Sequence, residues 1–267
     1  MTVPTVPEQA PGATRIVVKV GSSSISGDRV GQVVPLVAAL AATHARGTEV
    51  VLVSSGAIAT GMPHLRLDDR PTDLAVQQAA AAVGQNLLIK RYQEQLDRFG
   101  IVAGQVLLTA GDLENPKHRS NAERALDTLL ALRILPIVNE NDTVATHEIR
   151  FGDNDRLAAL VAELIGADLL VLLSDVEALY TRPPGEPGAE PIAFVAAGDP
   201  LSGVVVGESD TGVGTGGAAT KVAAARSAAE AGIAVLLTAT EHVARALEGE
   251  RVGTWFEPAP DRRSAAG

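Results

Sequence analysis

This sequence contains no cysteine, which excludes disulfides and thiolate metal centres and suits a reducing compartment. Aromatic residues are scarce: one Trp, two Tyr and four Phe make up 3% of 267 positions. Alanine, valine and leucine must therefore supply the core, which favours helices packed closely on a sheet over a surface built to stack bases. Positive charge is in deficit too, with a formal net charge of −10. That argues against non-specific nucleic-acid binding while leaving room for a local phosphate site. No apolar run reaches the ~20 residues a membrane span needs. The opening, Met1 to Thr14, has neither a cationic start nor an apolar centre, so it does not read as a signal peptide. The expectation is a soluble, cytoplasmic protein with neither nucleic acid nor membrane as partner.

What the chain does have is apolar substance, 46% of its residues, enough for one large domain or two small ones. The Pro-rich stretch 1–14 and the end 258–267 read as flexible tails around a domain at residues 15–257. Arg15 to Val20 is a β-branched run that halts at Gly21-Ser22-Ser23-Ser24. Asp28 to Arg46 then has a helical period with Pro35 early in it, and Val50 to Val53 is a second strand ending in Ser54-Ser55-Gly56-Ala57. Asp73 to Phe99 is a long Ala-rich helical stretch with a break expected near Gly84. Ile101 to Leu108 is a third strand, followed by a polar segment from Thr109 to Arg119. Ser120 and Glu123 then have the spacing of a capping box for a helix from Ala122 to Leu132. Ile134 to Val138 is a fourth strand, with Pro136 placing it near an edge or a pairing gap. A short hairpin arm is expected over His147 to Phe151, a helix over Asp155 to Ile165 and a strand over Asp168 to Leu173. Thr181 to Pro191 is too rich in Pro and Gly for regular structure. Gly203 to Gly217 is a glycine-rich loop that opens a helix from Ala218 to Ala231. A strand, helix and strand over Ile233–Leu237, Glu241–Glu248 and Val252–Phe256 complete the chain.

Strands alternating with helices predict an α/β fold, a three-layer αβα sandwich with a mainly parallel central sheet. Such sheets bind ligands beyond the carboxyl ends of their strands. Every polar cluster in the sequence follows a predicted strand, so this rule gathers them on one edge. Asn139-Glu140-Asn141-Asp142 and Gly152-Asp153-Asn154-Asp155 have two readings, as helix caps and turns or as the polar lining of one pocket. Lys19 interrupts an apolar strand, where burial without an anionic partner would be costly; the alternative is an exposed strand face. Thr211 to Gly217 precedes a helix carrying Lys221 and could cradle a phosphate. It lacks the Gly-x-x-x-x-Gly-Lys-Ser/Thr spacing, and its Gly212-x-Gly214-x-x-Gly217 follows no clear strand. Two lysines and helix N-termini facing carboxylates and amides suit phosphoryl transfer, which depends on positioning and on neutralising charge.

Taken together, five motifs resemble the glutamate 5-kinase branch of the amino acid kinase family. They are Val17-Val18-Lys19-Val20-Gly21-Ser22-Ser23, Ser54-Ser55-Gly56-Ala57-Ile58-Ala59, Asn139-Glu140-Asn141-Asp142, Gly152-Asp153-Asn154-Asp155 and Gly214-Thr215-Gly216-Gly217-x-x-Thr220-Lys221. Ala81 to Gln85 and Gly104 to Thr109 are similar as well, so the likeness runs from about Arg15 to Phe256. It implies an amino acid kinase-like fold and ATP-dependent phosphorylation of the side-chain carboxylate of L-glutamate, the first step of proline synthesis. It implies catalytic roles for Lys19, Lys221 and Asp155, and a glutamate site at Ser55, Gly56, Asn139, Asp142, Asp153 and Asn154. The nucleotide site would comprise Lys19, Ser174, Asp175, Thr215, Gly216, Gly217, Ala218, Ala219, Thr220 and Lys221. Mg²⁺ would ride on the ATP phosphates, with no side-chain metal site. Proline as feedback inhibitor, a homodimer or homotetramer, and glutamyl phosphate reductase as a partner also follow from the resemblance. The chain departs from the pattern in three places. Ser174 stands where Thr is frequent, Arg150 stands where Lys is frequent, and no C-terminal PUA domain, common in that branch, follows Phe256. Kinases of N-acetylglutamate, aspartate, carbamate or nucleoside monophosphates are the nearest rivals, and a non-catalytic amino acid sensor is a reading of another class. A glutamate α-ammonium calls for carboxylates, which Asp142 and Asp153 supply.

Overall fold

β-branched and leucine-rich runs build the centre of the molecule, in a computed structural model that describes residues 3–144, 154–202, 204 and 217–260. In chain order the elements are β1 (Arg15–Val20), α1 (Val33–Ala45), β2 (Glu49–Ser54), α2 (Ala57–Gly61), α3 (Leu74–Leu96) and β3 (Ala103–Leu108). There follow α4 (Ala110–Glu114), α5 (Pro116–Ala131), β4 (Leu135–Glu140), α6 (Asn154–Leu164), β5 (Leu169–Ser174) and β6 (Leu179–Tyr180). The chain continues through β7 (Pro191–Ile192), β8 (Phe194–Val195), α7 (Ala218–Glu230), β9 (Ala234–Ala239), α8 (Val243–Leu247) and β10 (Thr254–Phe256). Eight strands form one sheet in the order β3-β4-β2-β1-β5-β9-β10-β8, parallel throughout except where β10 runs against β9. β6 and β7 pair separately as a small antiparallel ribbon.

Alternation along β1 sorts the core into two layers. Ile16, Val18 and Val20 pack with Leu36 and Leu40 of α1, Leu88 and Tyr92 of α3, and Val243 of α8. Val17 packs with Leu126 of α5, Leu157 of α6 and Val222 of α7 on the other face. The three-layer αβα sandwich with a mainly parallel sheet follows directly from this period of two. Lys19, two residues after Val17, takes the position that faces α6 and α7.

Several local expectations change in the structure. No break occurs at Gly84, because α3 is continuous and the missing side chain serves a close helix crossing instead. The helix expected to start at Ala122 begins at Pro116, capped by Asn115, whose Oδ1 accepts from the amides of Lys117 and His118. Ser120 and Glu123 therefore lie inside α5, and the capping box sits earlier, between Thr109 and Asp112. Residues 27–32 form a 3₁₀ turn before α1. The Pro/Gly-rich 181–191 stretch is closed at its base by β6–β7 pairing, with Tyr180 opposite Pro191. Pro136 lies next to the edge strand, where pairing of β4 with β2 starts only at Ile137.

The segment expected as an N-terminal tail carries a 3₁₀ helix over Pro7–Gly12 with Ala10 fully buried. The Trp255 indole donates to the carbonyl of Thr5 at 3.1 Å, and Arg251 pairs with Glu8. The expected arm at His147–Phe151 and residues 205–216 of the glycine-rich loop lie outside the described residues. No helix among the described residues is long and apolar enough to cross a membrane.

Candidate active site

The site starts from the buried lysine of β1. Lys19 is 3% exposed, and its Nζ lies 2.6 Å from Oδ1 of Asp155 at the start of α6. The other oxygen, Oδ2, lies 3.2 Å from Nζ of Lys221 in α7 and accepts from the Thr220 hydroxyl at 3.1 Å. Asp155 is 1% exposed. Burial alone would push its carboxyl up, but the Lys19 and Lys221 charges and their hydrogen bonds outweigh that and hold it below the usual range. One carboxylate thus serves two buried lysines at the sheet edge.

Beside β1, the end of β2 leads through Ser55 into Gly56, which adopts φ +99°, and then into α2. The Ser55 amide donates to the carbonyl of Val20 at 3.0 Å, so the β2 exit is tied to the β1 exit. α2 crosses α3 at backbone contact. A Cβ on Gly84 would lie 1.7 Å from the carbonyl oxygen of Ala57, and one on Gly61 would lie 2.0 Å from that of Ala80. Only glycine permits this approach, which fixes where Gly56 sits.

At the end of β4, Asn139, Glu140 and Asp142 are all buried. Asn139 Oδ1 accepts from the amide of Glu140 at 2.9 Å, while its Nδ2 has no partner among the described residues, and Asn139 borders a small space lined by Ser54, Gln85, Leu88, Ile89, Gln105 and Ile137. Burial, reinforced by the charge of Glu140 and opposed by Arg70, pushes Asp142 up to about 7. Asn154, the first residue of α6, is buried, and its Oδ1 has no partner among the described residues. Unpaired buried amide atoms and a destabilised carboxylate are what a polar pocket shows before its ligand satisfies it.

The structure therefore brings Lys19, Asp155, Thr220 and Lys221 into direct contact, with Asn154 adjacent in sequence, and sets Ser55, Gly56, Asn139 and Asp142 at neighbouring strand ends. Gly217 is the N-cap of α7, and Ala218 and Ala219 form its exposed first turn. Ser174, the last residue of β5, and Asp175 after it stand apart from the lysines. They line a cavity of about 230 Å³ with Ser24, Arg29, Gln32 and Thr240, which none of Lys19, Asp155 and Lys221 borders. There Asp175 Oδ1 accepts from Ser24 at 2.9 Å and from Arg29 at 2.7 Å. Next to this cavity, ligand atoms of Glu177, Glu241 and His242 lie within 4.8 Å of one another, both glutamates being exposed. Asp153, Thr215, Gly216 and Arg150 lie outside the described residues. Sequence reading missed Arg29, Gln85 and Thr240. Gln85 ends a motif that carried a signal, whereas Arg29 and Thr240 sit in segments with none.

A family model described as "Amino acid kinase family" matches residues 14–239. A glutamate 5-kinase of Clavibacter michiganensis subsp. michiganensis is 76% identical over 246 residues, covering 92% of this chain and 95% of the relative. One of Leifsonia xyli subsp. xyli is 72% identical over 254 residues, covering 95% and 94%. A longer glutamate 5-kinase, of Streptomyces coelicolor, is 57% identical over 258 residues, which are 95% of this chain and 69% of the relative. Among solved structures, carbamate kinase from Giardia lamblia bound to AMP-PNP superposes with a TM-score of 0.68 at 16% identity, covering 93% of this chain and all of that one. The last likeness concerns the fold alone.

Proposed function

This chain belongs to the amino acid kinase family, and from that premise we propose that it transfers the γ-phosphoryl group of ATP to the side-chain carboxylate of L-glutamate. The product is L-glutamyl 5-phosphate, and the step is the first of proline biosynthesis. A carboxylate oxygen of glutamate attacks the γ-phosphorus, the bond from that phosphorus to the β,γ-bridging oxygen breaks, and ADP leaves with the electron pair. The observation that carries this reading is the buried cluster in which one carboxylate, Asp155, holds both Lys19 and Lys221 at the sheet edge.

On this reading, Lys19 and Lys221 meet the equatorial oxygens of the transferring group, and Asp155 holds both ammonium groups in place. Thr220, hydrogen-bonded to Asp155 and to the carbonyl of Gly217, keeps the start of α7 against the cluster. Gly217, Ala218 and Ala219 present backbone amides to phosphate oxygens, with Thr215 and Gly216 before them. Ser174 and Asp175 take the nucleoside side. Asp142, with Asp153, receives the α-ammonium of glutamate, and Ser55, Gly56, Asn139 and Asn154 receive its carboxylates. Mg²⁺, when bound, neutralises charge on the ATP phosphates. Asp155 is already engaged by two lysines, so the ion is held by the nucleotide rather than by that carboxylate.

Residues 15–257 form the catalytic domain on this reading. Proline as feedback inhibitor, a homo-oligomeric assembly, glutamyl phosphate reductase as partner and a cytoplasmic location complete the proposal.

The test is ADP release coupled to a spectrophotometric readout, with glutamate, aspartate or N-acetylglutamate as acceptor and with or without proline. Glutamate-dependent release, lowered by proline, is expected, and its absence would sink the assignment. Lys221→Ala should reduce kcat by about 10²–10³-fold while keeping a cooperative melt, and near-normal turnover would remove Lys221 from the mechanism.

A further inference from the structure

The two tyrosines of this chain attract no notice in the sequence, yet one of them is wired to the substrate turn. Tyr92 lies near the C-terminal end of α3 and is 0% exposed. Its hydroxyl is 2.8 Å from the hydroxyl of Ser54, the last residue of β2. The Ser54 hydroxyl in turn donates to the carbonyl oxygen of Ser55 at 3.0 Å. A serine hydroxyl has one proton, so if Ser54 gives it to Ser55, it must accept from Tyr92. The direction of the chain is then fixed as Tyr92 Oη–H to Ser54 Oγ, and Ser54 Oγ–H to Ser55 O. Burial drives the Tyr92 phenol well above its usual range, and the Ser54 hydrogen bond only partly offsets this, so the donor stays protonated at any working pH.

The far end of the chain is a peptide plane. The Ser55–Gly56 bond is trans, like every other peptide described, so its C=O and N–H point in opposite directions. Pinning the Ser55 carbonyl inward on Ser54 turns the Gly56 N–H outward. The neighbouring groups are already committed, the Ser55 amide to Val20 and the Gly56 carbonyl to the amide of Thr60. We infer that Tyr92 and Ser54 are positioning residues for substrate recognition, holding the Gly56 amide where it donates to the α-carboxylate of the acceptor amino acid. The inference rests on the glutamate-kinase reading and adds to it two side chains that touch no substrate themselves.

The test compares Tyr92→Phe and Ser54→Ala with the unaltered full chain, using L-glutamate and L-isoglutamine, in which the α-carboxylate is an uncharged amide. A charge-assisted hydrogen bond that loses its alignment should raise the KM for glutamate about tenfold. The kcat and the KM for ATP should stay within about twofold, because the buried hydroxyl chain lies away from the phosphoryl path. The decisive readout is preference. In both variants the kcat/KM ratio of glutamate over isoglutamine should fall by about the same factor as the glutamate KM rises. An equal loss for both acceptors, a fall in kcat alone, or unchanged kinetics would overturn the inference while leaving the kinase reading intact. Failure of the unaltered protein to phosphorylate glutamate would instead strike the kinase reading itself. A thermal melt accompanies each variant. If Tyr92→Phe does not fold, Ser54→Ala decides alone, and loss of fold in both would overturn the inference by making the chain a packing device.

Discussion

Replacing Asp155 with asparagine keeps the shape of the side chain and removes the one charge that two buried lysines share. Its oxygens lie 2.6 Å from Lys19 Nζ and 3.2 Å from Lys221 Nζ, all three groups being 9% exposed or less. Removing one partner of a buried ion pair costs about 3–5 kcal/mol, because the surviving charges stay desolvated without that carboxylate. At about 2–4 °C per kcal/mol for a chain of this size, the melting temperature should drop by on the order of 10 °C. The sign with pH follows from the groups involved. Asp155 is held below the usual carboxylate range, so its stabilisation is complete above that range and is lost only as pH falls through its lowered value. Comparison therefore belongs above about pH 5, where the unaltered protein is at full strength. The stability deficit should be full near pH ~6 and narrow in acid, as pH falls through the lowered value of Asp155. The assay is calorimetric melting at three pH values, with ADP release measured beside it, and kcat should fall by about 10²–10³-fold. A melting temperature within about 2 °C of the unaltered protein at pH ~6 would refute the reasoning.

Asp142 gives the opposite pH sign. Its folded value near 7 stands above the ordinary 3.8, so it contributes stability in acid that is lost as pH rises through this window. Asp142→Asn should flatten that slope in a urea titration and raise stability at pH ~8, and an unchanged slope would contradict it. Because the ionised form receives the α-ammonium, the KM for glutamate should climb as pH falls below about 7. Asp142→Ala should weaken glutamate without changing ATP affinity, and a shift in ATP affinity alone would assign the residue elsewhere. Gly84→Ala places a methyl where the Ala57 carbonyl stands, 1.7 Å away, and two backbones cannot yield as a side-chain tip would. It should cost about 1–3 kcal/mol in a melt and raise the glutamate KM by moving α2 and Gly56, and an unaltered melt would show that the crossing has slack.

Lys19 was legible in the sequence because a lysine inside an apolar strand has few physical explanations, but its face was settled only by the two core layers of the structure. Its partner was not legible from pattern alone. Asp155 lies on α6, beyond three more strands of the sheet, and only the resemblance named it. Gly84 shows the reverse failure. Within one helix, a glycine in an Ala-rich run signals weakness, and the expected break was the local optimum. The structure keeps the helix intact because α2 needs the vacant Cβ, a requirement that exists only between elements. Asn115-Pro116 was overlooked as a helix start for a related reason: two capping signals stood near each other, and the later one matched a pattern the chain does not use. The hydroxyl chain from Tyr92 was beyond sequence altogether, since it depends on which faces of β2 and α3 meet.

The strand order supplies the last step. Reading across the sheet, β4 and β2 stand on one side of β1, and β5 and β9 stand on the other. The acceptor residues proposed above, Asn139, Asp142, Ser55 and Gly56, follow β4 and β2. Ser174 and Asp175 follow β5, next to the β9 exit with Thr240. From β1 the chain turns towards β2, while β5 pairs on the opposite flank, so the crevice between diverging connections opens over the end of β1. Lys19 projects at that boundary. A group passing from the β5 side to the β2 side must cross it, and the charge needed during transfer is already in place there, paired to Asp155 through α6 and shared with α7. The same strand order explains why the two lysines come from distant parts of the chain. One marks the strand where the two half-sites divide, and the other arrives on the helix N-terminus best placed to receive phosphate. A mutation that moved β1 by one residue would therefore do more than expose a core. It would turn Lys19 to the α1 face and take it away from Asp155 and from the proposed acceptor residues.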